Sequence, residues 1–419
     1  MSTRSYTKLN PVDWPVAAWL ILLLLLRTGT VHAAAATPPT AAPTTGQTLT
    51  TDPDVTETVG SDLVYREVLM RPRTRSAFHK PEHQDYVDQL YLTLKYAAVY
   101  DYRNTVVVEP VIRTPRSRPT NPLELLIEQG YIESALGHDF VLTAGKKRET
   151  EGSGFALNPS DLLNQDQDFF DPLYRREGQV FTRLAWRPRG YKLGIGFVPE
   201  RGAPFGAGKA WLTGATTLAG ADVTTEATFQ RSEKSDIGLS VARFFTDSWE
   251  LHVDGRYQAR QRDIADRPER AYSSYHDDDA SYAYVAGTRF VLTPKRTAIA
   301  EIVTEQAGLM PDEMQNYFTF VRGLDESDGR KDLPTRLIGR HYVYLGYQDG
   351  ETLGKTSFGL SALANRDDRS LFSSLDIKHP LSRLATLEIS ALIFDGHANT
   401  EFGEAPFKSA TYLQFEGRF

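Results

Sequence analysis

The chain has 419 residues, 41% of them apolar and 24% charged, with 21 Phe, 20 Tyr, 5 Trp and no cysteine. The lack of cysteine excludes disulfides, thiolate metal sites and cysteine nucleophiles together. With 47 basic against 54 acidic residues the net charge is −7, which argues against a nucleic-acid partner.

Arg4 and Lys8 precede the apolar run VAAWLILLLLL, residues 16–26, and Val31-His32-Ala33 follows as a small-residue cleavage pattern. This is the layout of a secretory signal peptide over residues 1–33. The apolar run is too short to cross ~30 Å of hydrocarbon as a helix. Removing Arg4, Lys8, Arg27 and Asp13 leaves 44 basic against 53 acidic residues, a net charge of −9. Residues 34–61 begin with an Ala/Thr/Pro-rich stretch lacking apolar periodicity and are expected to be a disordered periplasmic leader.

From residue 62 onward no apolar stretch approaches the length of a membrane helix, and the chain alternates instead. In Trp249-Glu250-Leu251-His252-Val253-Asp254-Gly255-Arg256-Tyr257 the odd positions are apolar or small and the even ones polar. A period of two sends the two sets to opposite faces of a strand. Val180-Thr182-Leu184-Trp186, Val223-Thr225-Ala227-Phe229 and Leu387-Ile389-Ala391-Ile393 repeat the pattern. A soluble β-sandwich also alternates. Ten-residue segments over the whole chain, with Trp186, Trp249, Tyr257, Tyr347 and Phe394 at segment ends, favour a membrane barrel with aromatic girdles.

Long connections at 72–86, 114–122, 149–177, 199–208, 261–279, 307–336 and 395–407 alternate with short ones at 102–104, 137–139, 188–190, 218–221, 246–248 and 293–295. That is the loop parity of an up-and-down antiparallel barrel. It holds throughout only if 62–71 and 209–217 are strands. The expected fold is therefore an all-β transmembrane barrel over 62–419 of about 18 strands, or 16 without those two segments. The chain closes on Thr411, Leu413, Phe415, Gly417 and Phe419 along one face. Phe415 and Phe419 resemble the terminal signal read by the barrel-assembly machinery, and Phe419 would meet the periplasmic interface.

A further stretch carries a family likeness. Ile127-Glu128-Gln129-Gly130-Tyr131-Ile132-Glu133 is followed by Val141-Leu142-Thr143-Ala144-Gly145-Lys146-Lys147, then Gly152-Ser153-Gly154-Phe155 and Asn158-Pro159-Ser160-Asp161-Leu162-Leu163. These forty or so residues resemble alginate-export-like and related porin-type outer-membrane barrels. The resemblance implies a passive or facilitated conduit for an oligosaccharide or other polar solute in a Gram-negative outer membrane, in contact with lipid and lipopolysaccharide. Read from its residues alone, loop 149–177 carries turn chemistry at Asn158 and Asp161 and aromatics at Phe169 and Phe170. It either folds inward as a constriction or packs outside on its neighbours.

The polar faces nominate pore-lining residues: Arg183, Glu226, Glu250, His252, Asp254, Arg256, Arg260, Arg289, Glu301, Glu416 and Arg418. Charges of both signs in a lumen either pair structurally or select solutes. For catalysis the chain offers no G-x-S-x-G, and His252, between Glu250 and Asp254, is the one base worth weighing. His79 and His83 are interrupted by Pro81, and His276 heads an acidic loop tip, Asp277-Asp278-Asp279. Neither pattern specifies a metal, and no cofactor is expected. A structural or anchoring role in surface-polysaccharide assembly is the second reading, and an outer-membrane hydrolase the third.

Overall fold

The computed structural model describes residues 47–48, 55–78, 86–100, 103–114, 123–150, 152–163, 178–199, 208–230, 235–259, 280–325 and 337–419. The signal segment 1–33 and most of the leader lie outside them, as do Phe169, Phe170, Arg260, His79, His83 and the 276–279 loop tip. No described helix is long and apolar enough to cross a membrane. Alternating segments make strands because period-two patterning gives each segment one wettable and one apolar face.

Nineteen strands form one sheet. A two-residue β1, Gln47–Thr48, precedes β2 (Val55–Pro72), β3 (Tyr86–Tyr100), β4 (Asn104–Arg113), β5 (Glu124–Leu136), β6 (Phe140–Lys147) and β7 (Gln179–Trp186). Then come β8 (Tyr191–Pro199), β9 (Gly208–Leu218), β10 (Ala221–Gln230), β11 (Asp236–Thr246), β12 (Trp249–Gln258) and β13 (Ser281–Thr293). The chain ends with β14 (Arg296–Glu305), β15 (His341–Leu353), β16 (Thr356–Asn365), β17 (Leu371–Pro380), β18 (Ala385–Asp395) and β19 (Phe407–Arg418). A single described helix, α1 (Pro311–Arg322), interrupts the connection between β14 and β15. Each strand from β2 onward pairs antiparallel with the next, and β19 pairs with β2 from Phe407↔Pro72 to Arg418↔Asp62. The result is a closed barrel of eighteen strands, β2 to β19, and both segments on which that count hung, 62–71 and 209–217, are strands.

The first strand begins earlier than the expected boundary at 62: residues 55–61 already pair with β3. Thr56, Thr58 and Gly60 weaken the alternation that would have marked them. At the seam the backbones of Ser61 and Phe419 exchange hydrogen bonds of 3.0 and 2.9 Å, so pairing runs to the last residue. The Phe419 side chain is 70% exposed on the outer face. Its ring lies 3.1 Å from where a Cβ on Gly417 would stand, so an aromatic at 417 would compete with it for that place.

Parity decides sidedness around the whole circuit. On β12, Leu251, Val253 and Tyr257 point out, Val253 being 53% exposed, while Glu250, His252 and Asp254 point in and are buried. Trp249 stacks on Phe290 with centroids 6.1 Å apart near the short-turn rim, and Tyr257 pairs with Tyr282 near the other rim. These are the two girdles expected where lipid meets water. Phe394 is not part of them: it is fully buried on the inner face against Phe372, at 5.1 Å.

Short turns collect at one rim and long loops at the other. Among the two-residue turns, Ala219-Gly220 has both residues at positive φ (51° and 76°), joining Leu218 to Ala221. Two positive φ values define the hairpin turn whose twist matches that of its strands. At the loop rim two connections are short, 231–235 and 366–370. The helix was not anticipated in 307–336. Pro311 opens it, Asp312 and Glu313 lie in its first turn where the dipole favours them, and Glu313 accepts the Met310 N–H at 2.8 Å.

Because Val253 lies mid-strand on the outer face, Val253→Arg should cost about 2–4 kcal/mol if it lies near the bilayer midplane, whereas Val253→Leu should cost nothing. Denaturant unfolding of the barrel in lipid vesicles checks both. Deleting Phe419 removes the last two seam bonds together with an interfacial aromatic. The fraction of heat-modifiable, folded barrel in the outer membrane should then fall sharply.

Candidate functional site

The connection between β6 and β7 does not stay outside. Its ends are held at the wall: Arg148 pairs with Glu128 at 2.9 Å, the Arg148 N–H donates to Gln129 at 3.1 Å, and the Gly178 N–H donates to the Glu128 carbonyl at 3.2 Å. Glu149 grips Arg183 with both oxygens, one contact being 2.6 Å, and reaches Lys147 at 3.1 Å. Burial raises the Glu149 carboxyl, but Arg183 and Lys147 outweigh it, so it stays below the usual carboxylate range.

Residues 152–163 then run into the lumen and dock on the wall from β10 to β14. Asp254 accepts the Ser153 N–H at 3.0 Å and both the N–H and hydroxyl of Ser160 at 2.7 Å. Glu301 accepts the N–H groups of Phe155 and Ala156, each at 2.7 Å, one on each carboxylate oxygen. Glu226 accepts the Leu162 N–H at 2.9 Å, and the Ser240 hydroxyl donates to Ser153 at 2.8 Å. Loop N–H groups must find acceptors when they leave water, and ionised acceptors make the stronger bonds. A Cβ on Gly238 would sit 2.4 Å from the Ser160 carbonyl oxygen, so the loop can lie this close only because β11 offers a glycine there. Within the loop Asn158-Pro159-Ser160-Asp161 makes a turn closed by the Asp161 N–H on the Asn158 carbonyl at 3.2 Å, with proline at its favoured second position.

The nominated residues divide accordingly. Glu226, Asp254 and Glu301 are brought together as loop anchors, each under 3% exposed. His252 Nε2 meets Glu301 at 2.8 Å, its Nδ1 faces Glu250 at 3.6 Å, and the Phe155 ring lies 5.6 Å away. Both imidazole nitrogens are thus turned toward carboxylates, and the Ser160 hydroxyl is bound to Asp254. Arg289 pairs with Glu250 and lies 5.6 Å over the Phe155 ring, and Arg256 reaches Glu305 at 3.4 Å. Arg183 lies over Trp211 at 5.2 Å and Phe181 at 5.6 Å. Glu416 and Arg418 stand apart at the short-turn rim, bonded to each other at 3.1 Å. Asp161 and Asn158 sit in the docked loop; Asp161 is buried.

Sequence reasoning missed Ser153 and Ser160 as anchor partners and Glu128, Arg148 and Glu149 as the loop's moorings. The usable signal was four acids, at 226, 250, 254 and 301, all on the inner faces of nearby strands with only Arg256 and Arg289 to balance them. On the wall from β3 to β6 the side chains of Glu133 and Lys147 are 27 and 17% exposed, against none for His252 and Glu301.

No family model matches the chain, and no curated protein matches it either. Among solved structures it is similar to mutant forms of the porin of Rhodopseudomonas blastica, at 7% identity over 87% of this chain and 100% of that chain, with TM-scores of 0.47 and 0.46. A structure described as concerning asymmetric conductivity of engineered proteins matches at 7% identity over the same shares, with a TM-score of 0.45. The chain is a closed antiparallel barrel of eighteen strands with one loop folded into its lumen.

Proposed function

We propose that this barrel is an outer-membrane channel for polar solutes, and that residues 152–163 set its narrowest cross-section. One observation carries the reading: three inner-face carboxylates, Glu226, Asp254 and Glu301, take up five loop N–H groups and fix the loop across a lumen that stays polar on the β3–β6 side. A fixed obstruction beside hydrated charged pairs makes a size limit and a charge-sensitive passage. An oligosaccharide solute, implied by the resemblance of residues 127–163, belongs to the same proposal. So do export through a cleaved signal peptide, folding by the barrel-assembly machinery with Phe415 and Phe419 as its cue, and a surface of lipid and lipopolysaccharide. Arg289, Arg256 and Arg183 would tune the passage through the pairs they make.

The second reading, a barrel with an anchoring role in a surface-polysaccharide system, draws support from an apolar cluster on the inner face. Leu337, Phe402 and Ala405 from loops pack there with Tyr342, Phe372 and Phe394 from the wall. A hydrolase would need one imidazole nitrogen of His252 to face a nucleophile, and both face Glu301 and Glu250 instead.

Planar-bilayer recording separates these readings. The wild-type barrel should give discrete conductance steps; silence would favour the anchoring role. Asp254→Ala combined with Glu301→Ala should raise single-channel conductance and its noise, because the loop loses four N–H acceptors, while the amount of folded barrel stays the same. An unchanged conductance would mean that the loop is not the constriction. A tag inserted at Gly329 should be reached by antibody on intact cells and one at Pro294 should not, the long-loop rim facing outward.

A further inference from the structure

The long-loop rim carries a packed cap. Loop 73–78, helix α1, residues 337–340 and loop 396–406 meet there, and Phe78, Leu309, Met314, Tyr317, Phe318 and Ile338 form its own buried core. The Phe78 ring stands edge-on to Phe318 at 5.9 Å.

Loop 396–406 ties these pieces to one another and to the wall through two buried glutamates. Glu404 accepts the backbone N–H groups of Ala77 and Asn399 and pairs with Arg322 at the end of α1. Arg73 adds bonds to the Phe402 carbonyl at 3.0 Å and the Phe394 carbonyl at 2.9 Å. Glu401 points toward the wall. One oxygen accepts the Ile338 N–H at 2.8 Å, and the other accepts the Tyr342 hydroxyl of β15 at 2.7 Å and the Asn365 amide of β16 at 2.8 Å. Its own N–H donates to Asp368 at 2.6 Å.

The two glutamates differ in their charge balance. Glu404 has a guanidinium. Around Glu401, β15 and β16 contribute the neutral Tyr342 and Asn365, residue 338 contributes only a backbone N–H, and loop 366–370 contributes the acid Asp368. Behind Asp368, Asp367 is taken up by His341 at 3.0 Å. No described cation pairs with Glu401. A buried carboxylate without a countercharge is costly to ionise.

We propose that Glu401 is a proton-operated latch: the protonated carboxyl keeps the cap docked at the long-loop rim, and loss of the proton leaves a buried charge beside Asp368 that loosens loop 396–406 and the cap with it. The effect reaches the constriction. Phe402, Ala405 and Leu337 of the cap share one apolar cluster with Ala156 of the inward loop, and Leu157 packs against it. Loosening the cap therefore removes a support of residues 152–163. As a mode of regulation this rests on the channel reading.

The pH window follows from the site. Burial pushes the Glu401 carboxyl up from 4.5 to about 7; the bonds from Ile338, Tyr342 and Asn365 pull against that, and Asp368 pushes with it. A carboxyl raised in the docked state stabilises docking fully below its ordinary value, and the contribution is lost as pH rises to the docked value. Docking should weaken between pH 4.5 and about 7 and stay level above.

Hydrogen exchange of the full-length barrel in lipid vesicles, followed from pH 4.5 to 8.5 and corrected for intrinsic rates, tests this directly. Amides of α1 and of residues 398–404 should lose protection by roughly tenfold or more across that window, and Glu401→Gln should remove the step. Should that variant fold poorly, Asp368→Asn, which deletes the neighbouring charge, should move the midpoint to lower pH. Protection independent of pH in the wild type, a Glu401→Gln curve matching it, or an unmoved midpoint in Asp368→Asn would each overturn the latch. Bilayer recordings over the same range should show closed-state residence falling as pH rises. A silent bilayer with the exchange step intact would overturn the channel reading and leave the latch standing.

Discussion

Everything in this molecule depends on pairing backbone groups where there is no water. An N–H or C=O left unpaired in hydrocarbon costs several kcal/mol, so a sheet in a bilayer has to close on itself. Here closure is complete at the C-terminal strand: β19 pairs with β2 over its whole length, and the last bonds belong to Phe419 and Ser61. The Phe419 side chain lies on the outer face, where an aromatic is at home between lipid and water.

The same obligation reappears inside the barrel in another form. Residues 152–163 leave the rim and enter a lumen without forming a helix or a strand, so their N–H groups have no ladder to join. Wall carboxylates serve as acceptors instead, and both oxygens of Asp254 and of Glu301 are engaged. The arrangement solves two problems together, because three acids with few cations near them would otherwise be costly to hold at a buried wall. The loop needs the acids and the acids need the loop, which is why both are so little exposed.

Period-two alternation made the strands legible, and it gave the sidedness of β12, β10 and β18 residue by residue. It also made 62–71 and 209–217 necessary, since loop parity fails without them. Parity says which way a side chain points, however, and not what it meets. Asp254 and Glu301 read as pore-lining charges in water, and both are buried under backbone N–H groups contributed by residues about a hundred or more positions away in sequence. Phe394 read as a girdle residue because it ends a segment, yet its even position puts it inside with Phe372. In residues 55–61 Thr and Gly blur the alternation, although the backbone pairs regardless of side chain. Helix α1 was hidden in a loop because its apolar face, Met314, Tyr317, Phe318 and Val321, is short and covered by loops rather than by a second regular element.

The lumen is asymmetric, and the asymmetry has a mechanical consequence. Along β13 to β19 the inner face carries Val285, Val303, Leu363, Phe372, Leu392 and Phe394, an apolar wall facing what would otherwise be water. Such a surface is stable inside a hydrated channel only if something apolar covers it. Loop side chains from three connections do so, Ala156 from the inward loop among them. The inward loop is therefore clamped between two unlike contacts, carboxylates toward β10–β14 and an apolar cluster toward the cap. Charge-assisted bonds depend on protonation state, whereas apolar contacts depend on the cap staying seated. Residues 152–163 are thus held on one side by wall acids and on the other by an apolar contact with the cap.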